Sequence, residues 1–194
     1  MKRTDTTRMV ALAILVAVVV ILQLLGSFIH FGPVSVSLVL IPIVVGAALF
    51  GPGAGALLGF AFSAVVFIAA VTGADAGAFM LWQANPFMTA LVIFAKGTGA
   101  GWVSGLVYRS LCEKNALTAA VAAAVVCPVF NTGVFLLGMF TVFSEALRLW
   151  AGGTDVVTYA LVGLAGVNFI AELFLNIVLS PVIVRIVKAV GKDR

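Results

Sequence analysis

Residues 9–29 read MVALAILVAVVVILQLLGSFI. The stretch carries no charge, and it is as long as the about 20 apolar residues that one helical crossing of a bilayer needs. Working outward, the same texture continues along the chain of 194 residues. Sixty-three per cent of it is apolar and 9% is charged, where an ordinary soluble domain has roughly 25% charged residues. One globular core cannot hide that much apolar surface, so an aqueous enzyme is excluded. Disorder is excluded too, because it needs low hydrophobicity and high charge.

The expected architecture is an all-α integral membrane protein, a single domain over 1–194. Six spans are expected, at about 9–29, 38–50, 54–71, 86–109, 117–143 and 156–187. The segment 26–37, with His30, Gly32 and Pro33, reads as an outer loop, and Gly51-Pro52-Gly53 as a tight turn. The longest polar-tinged interruption is 72–85, holding Asp75, Trp82, Gln83 and Asn85. Pro86 suits the first turn of a helix, where its missing N–H is not needed. Residues 109–115 form a basic hairpin. A second outer loop holds Glu145, Arg148, Gly152, Gly153 and Asp155.

Net charge is +4, and its distribution carries topology. Lys2, Arg3, Arg8, Arg109, Lys114, Arg185, Lys188, Lys192 and Arg194 fall on one set of ends and loops; the opposite loops hold only Arg148, beside Asp75, Glu145 and Asp155. By the excess of Lys and Arg on cytoplasmic segments, both termini are expected to be cytoplasmic, which requires an even number of spans. No basic stripe interleaved with aromatics points to nucleic acid. The apolar start resembles a leader but is long and lacks a small-residue cleavage site, so it reads as the first span. Cys112 and Cys127 lie fifteen apart with no His nearby, and make neither a metal site nor a disulfide framework. No GxxxxGK[ST], HExxH or GxSxG occurs, so any uphill transport draws its energy from a partner or an ion gradient.

Charge at bilayer depth is costly and marks a functional hypothesis. Lys96 lies ten residues into the fourth span, about 15 Å deep, and Asn168 twelve residues into the sixth, about 18 Å deep. Asn131 sits midway along the fifth. Asn168, Glu172 and Asn176 are four apart and share one helical face. Two readings stay open: a Lys96–Glu172 pair with amide neighbours as structural glue between helices, or the lining of a substrate cavity. Residues 79–86 join aromatic surface to amide donors, either an interfacial anchor or a cover over a pocket. Ala13 and Ala17, Gly55 and Gly59, and Gly97, Gly101 and Gly105 are small residues at four-residue spacing, suited to close helix contact.

These features together resemble a known family. The Ala13-xxx-Ala17 step after Arg8, and PIVVGAALFGPGAGA over residues 42–56, are similar to the substrate-binding S component of an energy-coupling factor (ECF) vitamin transporter. The resemblance covers essentially the whole chain. It implies a bacterial plasma-membrane subunit that captures a water-soluble vitamin, is no enzyme and needs no cofactor or metal. It implies partners: a transmembrane coupling protein (T component), docked through Ala13 and Ala17, and two ABC ATPases. By position it points to Trp82, Gln83, Asn85, Lys96, Asn131, Asn168 and Glu172 as substrate-binding. The texture of Asn85-Pro86-Phe87 and of CPVFNTG over 127–133 is similar to the pantothenate and riboflavin group. Lys96 suits a carboxylate, which ranks pantothenate first. The rival reading is a self-sufficient secondary carrier with Lys96 and Glu172 as a proton or ion relay.

Overall fold

The computed structural model describes residues 3–26, 30–31, 34–35 and 39–191. The side chains of 3–5, 30, 31, 34, 35, 167, 168, 188, 190 and 191 lie outside that description. Helix α1 (Arg3–Gly26) leads to a two-residue antiparallel pairing of β1 (His30–Phe31) with β2 (Val34–Ser35). Then follow α2 (Leu40–Phe50), α3 (Pro52–Thr72), α4 (Ala76–Ala84), α5 (Pro86–Leu111), α6 (Ala116–Thr141) and α7 (Ser144–Ala151). A last long rod starts as α8 (Val156–Thr158), continues through a π-helical stretch (Tyr159–Gly166) and ends as α9 (Val167–Gly191).

Five of these segments are long and apolar enough to cross a membrane: Thr6–Gly26, Pro52–Thr72, Pro86–Leu111, Ala116–Thr141 and Val156–Val187. The protein is therefore a multi-pass helical membrane protein. Helix α2 is also apolar but has 11 residues. At 1.5 Å per residue it is about 16 Å long, half of a hydrocarbon core. It is buried over most of its length, with Leu40, Ile43 and Val44 inaccessible. Loss of bilayer-spanning length is thus offset by packing inside the bundle.

Two expected loops are helical. In 72–85, Asp75 caps α4 by accepting a 2.9 Å hydrogen bond from the Ala78 N–H. Gly73, with φ of +79°, makes the preceding reversal. In 143–155, Glu145 stands in the first turn of α7 and Arg148 in the last, each complementing the helix dipole. Leu147 and Ala151 of α7 are buried. Charges that looked like loop signals are helix-end signals.

The main packing seam joins α3 to α5. A Cβ on Gly55 would run into the backbone carbonyl of Gly101, and one on Gly59 into that of Gly97. A Cβ on Gly105 would lie 2.6 Å from Pro52 Cα. Ser63 Oγ donates a 2.8 Å hydrogen bond to the Ile93 carbonyl across the same seam. Helix α6 then packs on α5, and α9 on α6. The central core gathers Val19, Leu40, Ile43, Leu58, Phe62 and Cys127. A smaller cluster of Leu81, Met139, Phe143, Leu147 and Leu164 fills the end of the bundle under α4 and α7.

Candidate functional site

The end of the bundle bearing α4 and α7 encloses a cavity. Helix α5 builds one wall. Its start is fixed by Asn85, whose side chain accepts a 3.1 Å hydrogen bond from the Met88 N–H, followed by Pro86 in the first turn. Thr89, Val92, Ile93 and Lys96 then recur at helical spacing and all line the cavity. Gln23 of α1, Phe62 and Val66 of α3, Phe135 of α6 and Phe143 complete the sides. Asp75, Gly77, Ala78 and Leu81 around α4 and Trp150 of α7 cover it. The cavity has about 630 Å³ of atom-free space, open mouth included.

Its electrostatics centre on Lys96. The Nζ lies 5.7 Å from the Phe62 ring centroid and 5.5 Å from that of Phe135. Both distances suit a cation held over aromatic faces. The carboxylates whose fields reach Lys96 are Glu172 and Asp75. Thr89 is 2% exposed, and its Oγ1 has no hydrogen-bond partner among the described residues. Leaving a buried hydroxyl unmatched costs about 1–3 kcal/mol, and this one belongs to a residue of the cavity lining. Gln23, 3% exposed, brings an amide to the same cavity. The lining brings Lys96, Asp75, Gln23 and Thr89 together against apolar and aromatic walls.

The residues singled out from sequence fall into three groups. Lys96 lines the cavity. Trp82, Gln83 and Asn85 lie at the α4–α5 junction beside it: Trp82 is half-buried, edge-on to Phe67 with centroids 5.4 Å apart, Gln83 is exposed and Asn85 caps α5. Asn131 and Glu172, each 5% exposed, are buried between helices and are not among the lining residues. Asn176 is buried too, its Nδ2 donating 2.8 Å to the Glu172 carbonyl. The Oδ1 atoms of Asn131 and Asn176 have no partner among the described residues. Asn168 lies on α9, and its side chain is outside the described residues.

Sequence reasoning missed Gln23, Asp75, Thr89, Phe135 and Trp150 as cavity residues. Thr89 was within reach, because it stands seven positions before Lys96 and shares its helical face. Gln23 was too, as an amide inside an apolar span. Trp150 adds an indole to the lining, where the sequence had singled out Trp82. Among the described residues no cluster of His, Cys, Asp or Glu could hold a metal ion, and Cys112 and Cys127 are free thiols.

A multi-pass helical bundle with a partly enclosed cavity, Lys96 in its lining and aromatic walls has the form of a solute-binding membrane subunit. The comparison with protein families makes this specific: the family described as ECF transporter, substrate-specific component, matches residues 7–184. The chain belongs to that family. It is a substrate-specific transport subunit and not an enzyme, and such subunits work with a T component and ATPases. No curated protein and no solved structure matches the chain.

Proposed function

We propose that the protein captures a water-soluble vitamin with a carboxylate end in the cavity around Lys96, and that pantothenate is the first candidate. The observation that carries this reading is Lys96 itself, a cation at the cavity wall between two aromatic rings. Glu172 and Asp75 already lend their fields to Lys96, and a ligand carboxylate would add the direct contact that a cation at that depth favours. Pantothenate would set its carboxylate against Lys96 and its hydroxyl and amide groups near Thr89 and Gln23. In this reading Trp82, Gln83 and Asn85 border the mouth. Asn131 and Glu172 form a polar layer behind Lys96 that tunes its field, and Asn168 remains a substrate-binding candidate by its position along α9.

The same reading has six spans in one domain, α2 being the short second one, with both termini on the cytoplasmic side of a bacterial plasma membrane. The Lys and Arg asymmetry supports it. The subunit then delivers its cargo by joining a coupling protein and two ATPases, with Ala13 and Ala17 as the docking face. Both alanines are exposed on α1, as a face awaiting another helix would be.

Titrating pantothenate into the detergent-purified protein, with Trp82 and Trp102 replaced by Phe so that the emission is that of Trp150, tests the ligand. Saturable quenching that disappears in Lys96→Met is expected; quenching that survives the substitution unchanged contradicts the site. Reconstitution separates the rival carrier reading, motivated by the field of Glu172 at Lys96. Liposomes holding this chain alone should show no gradient-driven uptake. Uptake without the ATPases would favour the carrier.

A further inference from the structure

At the end of the bundle opposite the cavity, a second groove runs between α1, the α2–α3 turn and α5. It is lined by Arg8, Leu12, Phe50, the turn Gly51-Pro52-Gly53, Leu57 and Arg109, with about 780 Å³ of atom-free space including its open mouth. Two guanidinium groups from different helices thus face one groove, whose lining holds no carboxylate among the described residues. Arg8 is anchored, since its Nη2 donates a 3.1 Å hydrogen bond to the Phe50 carbonyl. A guanidinium has five N–H donors, so this contact fixes the group without exhausting it.

The opposite wall is apolar and open. Leu57 is 48% exposed, and a Cβ on Gly53 would meet nothing within 4 Å. The start of α3 has no acidic residue in its first turn and no side-chain cap. Its positive dipole end therefore adds to the two arginines. Cationic donors beside an exposed apolar wall, at the end of transmembrane helices, match a molecule with an anionic head and an apolar body.

We infer that this groove binds the phosphate headgroup of an anionic membrane phospholipid, with Arg8 and Arg109 holding the phosphate and an acyl chain lying along Leu12 and Leu57. Basic pockets between transmembrane helices suit such headgroups. The bound lipid would fix α1 against the α2–α3 turn at the level where the membrane begins.

The test is native mass spectrometry of the full chain released from micelles containing equal phosphatidylglycerol and phosphatidylcholine. Preferential retention of phosphatidylglycerol is expected. Arg8→Gln and Arg109→Gln should each weaken it about fivefold, since one arginine near a membrane surface contributes about a factor of that size. Gly53→Asp serves as the folding-safe variant, because an acidic residue at a helix start favours the helix while it repels the headgroup. It should lower retention with thermal stability kept.

Equal retention of the two lipids, or phosphatidylglycerol retention that is unchanged in all three variants, overturns the inference. Inorganic phosphate that binds in an arginine-dependent way and displaces the lipid also overturns it, in favour of a free-anion site. So does loss of the coupling-protein complex in the arginine variants with lipid retention intact, which would assign the groove to an acidic protein segment. None of these outcomes depends on which vitamin fills the cavity.

Discussion

Small residues recur at four-residue spacing in two regions of the molecule, and the regions end differently. On α3 and α5, Gly55 and Gly59 meet Gly101 and Gly97 so closely that no Cβ fits between the backbones. On α1, Ala13 and Ala17 are exposed, among the exposed Val10, Ile14, Val18 and Ile21. Thirty-nine per cent of the α3 span is buried inside the bundle, against 17% of the α1 span. The same pattern that closes one interface within the chain stays unused in the other. In lipid, burial of apolar surface does not drive helices together, and small residues matter because they allow close approach. Under the proposed function, the open small-residue face of α1 is the one that would take a helix from another chain.

That contrast can be broken first at the closed seam. Gly59→Leu forces side-chain atoms into the Gly97 carbonyl. Overpacking typically costs about 1–3 kcal/mol, and against backbone the upper end applies. The expected outcome is a large fall in the midpoint of thermal unfolding in detergent; an unchanged midpoint would show that the seam yields. Ala13→Trp makes the complementary change on the open face. Because Ala13 is exposed, stability should move by no more than about 0.5 kcal/mol. Vitamin uptake by the full transporter should nevertheless stop, with ligand binding spared. Normal uptake in that variant would take Ala13 out of the docking face.

Two further substitutions sharpen the comparison from the cavity side, where the proposed function places a ligand and not a helix. Lys96→Met removes the cation and keeps its bulk. Truncating one side of a desolvated charged contact costs about 2–5 kcal/mol, so affinity for a carboxylate ligand should fall at least about thirtyfold by calorimetry, while the protein stays folded. Thr89→Val should have the smallest effect. Its hydroxyl has no partner among the described residues, so thermal stability should hold or rise. Ligand affinity should fall by about one hydrogen bond, ~1 kcal/mol. A drop in stability without change in affinity would make Thr89 a structural residue only.

The long helices were legible in the sequence because bilayer thickness imposes runs of about 20 apolar residues. Pro86 and the Gly51-Pro52-Gly53 turn marked their starts correctly. The short helices α4 and α7 were not legible. Their 9 and 8 residues hold too few turns for a periodic signal, and the polar residues that begin them look the same as loop residues. The cavity was half legible. Lys96 stood out because its charge is expensive at that depth, whereas the hydroxyl of Thr89 and the amide of Gln23 cost less and drew no notice. Counting residues into a span gives a side chain's height but not its direction around the bundle. Asn131 has such a height and is buried at 5% exposure, yet it sits between helices beside the cavity. Rotation is set by packing partners such as Gly97 against Ser63, which no single span reveals.

The central claim is that Lys96 holds the anionic end of a captured vitamin. Native mass spectrometry of the wild-type protein and of Lys96→Met, both purified from the host, tests it most directly. The wild type should retain one small carboxylate-bearing molecule at near-full occupancy, and the variant should be empty at the same folded yield. Equal occupancy in the two proteins, or a retained molecule with no acidic group, would contradict it.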